Sequence, residues 1–172
     1  PANSTRVSGL SDINLILKTL LVEQAGTLPS TLLKTFLKLA TGKETEGLGS
    51  GDTDLGLVAV LGYVTTKLAW HLNLGYVGAG KKANANIKDY FIYSLSCEYA
   101  LTPKIKVVTE VYGETDSHFD INIFKHYTFN PLCGIVWNLT DKVALDTAIR
   151  WGITNQGIAE YGLTTGLSFS FN

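Results

Sequence analysis

The sequence predicts an all-β protein, an antiparallel up-and-down transmembrane β-barrel, and three observations support this prediction. Apolar residues alternate with polar or small ones along most of the chain, which is the two-residue period of a strand with two different faces. Short reversals that pair Thr with Lys recur as near-copies at residues 64–67, 101–104 and 139–142. Aromatic residues collect near both ends of the predicted strands, on their apolar face.

Composition limits the class of protein. The chain has 172 residues, a formal net charge of −1 and 17% charged residues, which gives no reason to expect a nucleic-acid partner. No run reaches the ~18 to 20 apolar residues of a transmembrane helix, and no signal-peptide pattern is present. The chain opens at Pro1 without an initiator Met, so we expect a processed or truncated piece. We interpret Cys97 and Cys133, which fall on the apolar face, as small apolar side chains, although one disulfide is permitted.

Nine strands are predicted, each bounded by a reversal or a Gly-rich segment. They cover about residues 12–23, 31–40, 54–64, 68–77, 89–101, 105–114, 132–139, 143–154 and 161–171. The first strand sets its apolar residues, Leu21 among them, against Lys18. The second sets leucines against Lys34 and Lys38. A helix starting at Ser30 is the alternative for this second strand, but its Thr content and its hairpin context favour a strand.

The third to sixth strands flank the first two of the Thr-Lys reversals. In the fourth strand the alternation is unbroken, with His71 on the polar face. The fifth strand carries Glu98 on that face, and the sixth carries Lys106 and Glu110. These four strands therefore continue one antiparallel meander with a consistently polar side.

The last three strands follow the longest connection, residues 115–130, which we expect to extend its neighbouring strands beyond the body of the sheet. The eighth strand carries Asp146 and Arg150 on its polar face, and Glu160 precedes the ninth. Connections thus alternate between short and long, and the shortest ones lie together at one end of the sheet.

The alternation alone does not separate a membrane barrel from a soluble lipocalin-like barrel with an apolar interior, but the aromatic residues do. Near the short turns lie Tyr63, Trp70, Tyr99, Trp137, Phe169 and Phe171, and near the long loops lie Tyr76, Phe91, Tyr93, Trp151 and Tyr161. The apolar face between them is mostly aliphatic. Two aromatic belts around an aliphatic band are what a bilayer selects, because amphipathic rings sit best at its interfaces. We therefore predict the membrane barrel, and these rings as its lipid-interface residues.

Several motifs resemble a known family over most of the chain. They are Gly9-Leu10-Ser11-Asp12, Leu39-Ala40-Thr41-Gly42, Gly47-Leu48-Gly49-Ser50-Gly51-Asp52-Thr53-Asp54-Leu55-Gly56, Leu72-Asn73-Leu74-Gly75-Tyr76 and Glu110-Val111-Tyr112-Gly113-Glu114. The chain resembles the transporter-like outer-membrane β-barrel family linked to the meta-pathway of phenol degradation. The resemblance implies a barrel in the outer membrane of a Gram-negative bacterium. It also implies a porin-like channel or transporter that passes small hydrophobic or aromatic solutes.

If the apolar face meets lipid, the polar face lines a lumen. Its predicted lining residues are Lys18, Lys34, Lys38, His71, Glu98, Lys106, Glu110, Asp146, Arg150 and Glu160. One interpretation is a polar pore lining that selects a permeant. The other is a plug of ion pairs, since a barrel of ~8 strands is only wide enough for its own side chains. The sequence leaves both open.

Two further functional classes compete with a channel. One is a structural barrel with a closed lumen, whose loops bind partner proteins. The other is an outer-membrane hydrolase that uses His71, Asn73, Ser94 and Ser96, but nothing supplies a third catalytic member or an oxyanion site. The gap between His118 and His126 is no recognised metal-ligand spacing. We expect no catalytic residue, no metal and no other cofactor, and the lipid bilayer as the principal partner.

Strand direction predicts a larger barrel. Both termini of such barrels normally lie in the periplasm, so their strand number is even. The ninth strand should descend to the periplasm, and so should the first. Residues 2–7 are too few to cross ~25 Å of apolar band as a tilted strand. We therefore expect a C-terminal portion of a barrel of ten to twelve strands, in which the first and ninth strands do not pair directly.

Overall fold

The computed structural model describes residues 7–80, 89–115, 128–153 and 161–171. Within these ranges the chain forms nine strands: β1 (Ile13–Val22), β2 (Ser30–Leu39), β3 (Asp54–Val64), β4 (Leu68–Gly78), β5 (Tyr90–Ala100), β6 (Ile105–Glu114), β7 (Asn130–Asn138), β8 (Val143–Trp151) and β9 (Tyr161–Phe169). One short 3-10 turn, Glu44–Glu46, lies between β2 and β3. The predicted all-β class is confirmed, and the second segment is a strand rather than a helix. None of the described residues belongs to a helix long and apolar enough to cross a membrane.

The strand boundaries differ from the prediction mainly near the end of the chain. β7 begins at Asn130, two residues earlier than expected, and β8 ends at Trp151 rather than at residue 154. Proline cannot donate a ladder hydrogen bond, so it is uncommon inside a paired strand. Here Pro131 lies opposite Val111, while pairing with β8 begins only at Leu132. Proline is thus accommodated at the start of the strand, where one side of the ladder is open.

The nine strands form one sheet in sequence order, and every neighbouring pair is antiparallel. The connections at residues 23–29, 65–67, 101–104 and 139–142 lie at one end of this sheet, called the turn end here, as the sequence predicts. The strand ends joined by longer connections lie at the other end, the loop end. In β1 a bulge between Leu20 and Val22 interrupts the alternation. The strict alternation predicted for β1 is therefore broken at Leu21, whose side chain is 58% exposed.

The three Thr-Lys reversals share one hydrogen-bonding pattern. In each, the Thr backbone N–H donates to the carbonyl of the residue three positions later, and the N–H of that residue donates to the Thr Oγ1 atom. The second bond is 3.0 Å long in all three pairs: Thr65–Leu68, Thr102–Ile105 and Thr140–Val143. The side chain thus satisfies a backbone donor that the tight reversal leaves unpaired.

Each of these turns is also tied to the end of the next strand along the sheet. In each case a backbone N–H group donates to the carbonyl oxygen of the lysine in the turn. The bonds are Ala100 to Lys67 at 2.8 Å, Asn138 to Lys104 at 2.8 Å and Ser170 to Lys142 at 2.9 Å. The sequence repeat therefore corresponds to a structural repeat, in which the turns form a continuous hydrogen-bonded rim.

The two faces of the sheet differ in burial. Along β3, Asp54 and Val58 are 8% and 1% exposed, whereas Leu55 and Leu57 between them are 58% and 51% exposed. Val77 of β4, on the same face as Val58, is fully buried. One face is therefore concave and covered by the curvature of the sheet, and the other is convex and open.

The curvature is large, but the two edge strands do not meet. Lys34 of β2 and Glu110 of β6 line one cavity, although four strand spacings amount to ~19 Å in a flat sheet. Among the described residues β1 and β9 do not pair, and no Cα atom of one lies within 8 Å of the other. This agrees with the expectation that these two strands, which run in the same direction, are not direct neighbours. A closed barrel is not observed in the described part of the chain.

Candidate functional site

The structure places nine of the ten predicted lumenal residues on the concave face. In the strand registers, each of the nine pairs with a concave-face residue of a neighbouring strand. The nine residues are Lys18, Lys34, Lys38, His71, Glu98, Lys106, Glu110, Asp146 and Arg150. Glu160 lies outside the described residues. The strand period thus brings these residues to one surface, but their separation across nine strands makes them a lining rather than a single site.

Ion pairs occupy the two ends of this concave face. Lys38 and Asp54 form a salt bridge at the loop end, and the Asp54 carboxylate also accepts a hydrogen bond of 2.9 Å from the N–H of Gly80. Glu98 and Lys106 form a second salt bridge near the turn end, with 3.2 Å between Oε2 and Nζ. The expected plug of ion pairs therefore has counterparts at both ends of the face.

The middle of the concave face is different, because its charges are unpaired. Lys34 lies directly opposite Lys18 in the register between β1 and β2. Neither of these lysines, nor Glu110 of β6, forms an ion pair with any other residue that the structure describes. The concave face therefore carries two lysines at β1 and β2 and a carboxylate, Glu110, at β6, with Arg150 of β8 two strands beyond Glu110 in the same row.

A cavity of about 670 Å³ lies between Lys34 and Glu110. Its described lining includes polar groups on β2, β4, β5, β6 and β7, namely Lys34, Asn73, Ser94, Glu110, Tyr112 and Asn130. The side chains of Val58, Ile92 and Leu132 add apolar wall. Lys34, Asn73 and Glu110 stand near the middle of their strands, whereas Glu114 and Asn130 stand at the loop end, so the cavity extends from mid-height to the loop end. Its volume and its mixture of apolar wall with few polar groups are those of small-molecule sites.

Asn130 is the most buried polar residue of this lining, at 2% exposure. Its Nδ2 atom donates a hydrogen bond of 3.5 Å to the Tyr112 carbonyl, but its Oδ1 atom has no donor among the described residues. A buried amide oxygen without a partner costs about 1 to 3 kcal/mol. Sequence reasoning missed this residue, because Asn130 before Pro131 was assigned to a loop.

The residues proposed for a hydrolase lie together, but in an unsuitable order. Asn73 donates a hydrogen bond of 2.9 Å to Ser94 Oγ. His71 lies opposite Ser96, which in turn lies opposite Glu110. A base that activates a serine must stand between the hydroxyl and the carboxylate. Here Ser96 stands between His71 and Glu110, so the histidine is not placed between the hydroxyl and the carboxylate, and the three residues do not form a catalytic triad. The described ranges contain no cluster of three potential metal ligands, and His118 and His126 lie outside them.

The two cysteines are free and lie on the convex face. In the strand registers Cys97 and Cys133 lie on either side of Thr109. Two strand spacings separate them, or ~10 Å, whereas a disulfide requires Cα atoms less than ~7 Å apart. The interpretation of both cysteines as small apolar side chains fits this placement.

The predicted interface aromatics lie on the convex face, in two groups. At the turn end Tyr63 stacks on Trp70, with ring centroids 6.3 Å apart. At the loop end Tyr76 and Phe91 meet edge to face at 5.1 Å, and Trp151 lies opposite Tyr161. The strand registers also place the remaining strand aromatics of the two groups on the convex face. These residues are Tyr93, Tyr99, Trp137 and Phe169. Phe171 follows β9 and is 91% exposed.

Three of the sequence motifs meet at the loop end in a hydrogen-bonded cluster. The Asp12 carboxylate accepts bonds from the backbone N–H groups of Ser50, at 2.9 Å, and Gly42, at 3.0 Å, and from the Ser50 hydroxyl at 3.1 Å. We call these three residues the Asp12 clasp. The backbone bonds from Ser50 and Gly42 hold the pKa of the Asp12 carboxyl below its ordinary value of 3.8, because they stabilise its charged form.

The clasp explains why glycine occurs at two motif positions. A Cβ atom at Gly49 would stand 2.3 Å from Asp12 Oδ1, and one at Gly42 would stand 2.5 Å from the Leu48 carbonyl oxygen. Neither distance is compatible with a side chain, since the bound Asp12 carboxylate and the Gly42 Cα atom crowd position 49 and the Leu48 backbone crowds position 42. The clasp therefore fastens the segment before β1 to the connection between β2 and β3.

The fold and this face together define a class of protein, a curved antiparallel β-meander with a charged, cavity-bearing concave face and an apolar convex face. The chain belongs to the family with the description "Putative MetA-pathway of phenol degradation", whose model matches residues 1–171. The family resemblance of the motifs is thereby confirmed, and it links the chain to phenol degradation. A search of curated proteins finds no match to this chain.

Proposed function

We propose that this protein is a channel of the Gram-negative outer membrane, with a narrow polar lumen for small solutes that include hydrophobic and aromatic ones. The apolar convex face carries the proposal. Leucines from different strands are open to the surroundings on this face, for example Leu17, Leu57, Leu95 and Leu163 at 67%, 51%, 53% and 71% exposure.

Such a surface is unsuited to water. Contiguous exposed apolar patches on soluble monomers rarely exceed a few hundred Å², and this one extends over nine strands between two aromatic groups. In a bilayer the leucines meet hydrocarbon and the rings meet the interfaces. The membrane therefore gives both kinds of residue their preferred surroundings.

The same proposal requires the nine-stranded sheet to be closed into a barrel by additional strands. The open edges of β1 and β9 carry unpaired backbone groups, and hydrocarbon tolerates none of these. Both edges run in the same direction, so an odd number of additional strands closes an antiparallel wall. One or three such strands give a barrel of ten or twelve, somewhat wider than the eight-stranded barrels that their own side chains fill.

Single-channel conductance in planar bilayers tests the channel. We expect discrete openings from the full-length protein, and swelling of liposomes loaded with a small neutral solute. Control bilayers receive the same protein after heat unfolding in detergent. Conductance no different from that of these controls would contradict the proposal.

A second candidate is a structural or partner-docking barrel with a closed lumen. The salt bridges Lys38–Asp54 and Glu98–Lys106 favour it, because each ties two neighbouring strands together and occupies one end of the concave face. For this candidate we expect membrane insertion without conductance. Replacement of Lys38 and Glu98 by Ala should then produce openings that the unmodified protein lacks.

A further inference from the structure

The unpaired charges at mid-height create an electric field across the cavity. Lys34 stands on one side, with Lys18 directly opposite it in the neighbouring strand. Glu110 stands on the other side, and neither Lys34 nor Glu110 has an ion-pair partner among the described residues. Charges of opposite sign on low-dielectric walls focus the field between them. A solute in this space is therefore oriented by its own charges.

The neutral groups of the cavity add one further requirement. Val58, Ile92 and Leu132 line the same space and favour an apolar body. A suitable occupant thus has a negative end, a positive end that donates hydrogen bonds, and an apolar part.

We propose that the cavity binds small zwitterions with an apolar body, such as apolar α-amino acids. The carboxylate faces Lys34, and the ammonium group faces Glu110. This inference deepens the proposed channel function, because it names the solutes that the lumen favours. Binding itself does not require the lumen to be open.

Three probes that share a phenyl group but differ in charge measure the contribution of each charge to binding. L-phenylalanine carries both charges, 3-phenylpropanoate only the carboxylate, and 2-phenylethylamine only the ammonium group. We measure their binding to the full chain in detergent micelles by titration calorimetry. We expect phenylalanine to bind at least about tenfold more tightly than either single-charge probe, because it makes both charge-assisted contacts.

Two variants test which cavity residue binds the carboxylate of the ligand and which binds its ammonium group. Lys34→Gln should weaken binding of phenylalanine and 3-phenylpropanoate and leave 2-phenylethylamine unchanged. Glu110→Gln should weaken phenylalanine and 2-phenylethylamine and leave 3-phenylpropanoate unchanged. The control is Lys104→Gln, in a turn outside the cavity lining. Tryptophan fluorescence of each variant verifies that it remains folded.

Equal binding of the three probes, or weakening of the same single-charge probe in both variants, would overturn the inference. Liposome swelling with a neutral sugar separates this outcome from failure of the channel. Charge-dependent binding without swelling supports the site and removes the channel. Swelling with no charge-dependent binding keeps the channel and removes the site.

Discussion

Asp12 shows how one carboxylate organises the loop end. It accepts three hydrogen bonds from residues 30 and 38 positions away in sequence. Replacement by Asn removes the charge that strengthens these bonds, so the connection between β2 and β3 should loosen. We expect faster cleavage there in limited proteolysis. Asp52→Asn is the matched control, because no hydrogen bond of that carboxylate is seen among the described residues. Equal cleavage of the two variants would contradict the role of Asp12.

The clasp should also depend on pH in a defined direction. Its hydrogen bonds lower the folded-state pKa of Asp12 below 3.8, so the clasp contributes its full stability above that value. The contribution is lost as the pH falls through the lower, folded-state pKa. Cleavage rates measured with an acid-active protease should therefore be flat from pH 6 down to about 4 and rise only below that value. In the Asp12→Asn variant this acid-dependent rise should be absent.

At the level of elements, the turns depend on a threonine hydroxyl. Thr102 Oγ1 accepts hydrogen bonds from the N–H groups of Ile105 and Lys104, at 3.0 and 3.2 Å. Thr102→Val keeps the shape and removes the acceptor, which should lower the free energy of unfolding by about 0.5 to 1.5 kcal/mol. Thr102→Ser keeps the hydroxyl and should restore most of the loss. Urea unfolding in lipid vesicles measures both variants, and equal loss in both would argue against this bond.

The two faces of each strand should respond differently to charge. Leu72 and Leu145 lie on the convex face, and Asn73 and Ala144 beside them lie on the concave face. Arg at Leu72, which lies near the middle of β4, should cost about 2 to 4 kcal/mol, the usual penalty for a cation at the bilayer midplane. Arg at Leu145, which lies opposite the interface residue Trp137, should cost less, because the penalty falls toward the interfaces. Arg at Asn73 or Ala144 should cost much less, because it faces the lumen. Equal penalties from vesicle unfolding would mean that the convex face does not meet lipid.

At the level of the whole molecule, the separation of the sheet edges can be tested by cross-linking. Cysteines at Leu17 of β1 and Leu163 of β9 should form no disulfide, because these strands run in the same direction and are not neighbours. Cysteines at Leu145 and Leu167, which are directly opposite in β8 and β9, provide the positive control.

The background for this experiment replaces Cys97 and Cys133 by Ala, since both native thiols are free. Oxidised samples are compared with reduced samples by their mobility in gels. A disulfide between β1 and β9 that forms as fast as the control would show that the edges meet directly, and would contradict the proposed ten- or twelve-stranded wall.

Local chemistry explains which features could be predicted from the chain alone. The two-residue period assigns Lys34, His71 and Glu110 to one face in any strand, whatever its neighbours are. The Thr-Lys reversals carry their own hydrogen-bond acceptor, so the hairpins and their common end were also predictable. The bulge at Leu21 was not, because it depends on how β1 pairs with β2 rather than on the residues of β1.

The contacts that could not be predicted from the sequence depend on the curvature of the sheet. It brings Lys34 across from Glu110 over four strand spacings, buries Asn130, and sets Asp12 against Ser50. None of these contacts follows from sequence spacing, because each depends on the combined twist and register of several strands. The sequence contains the charges of the concave face, but only the three-dimensional arrangement determines which of them form ion pairs at its ends and which, such as Lys34 and Glu110, form none with any other described residue.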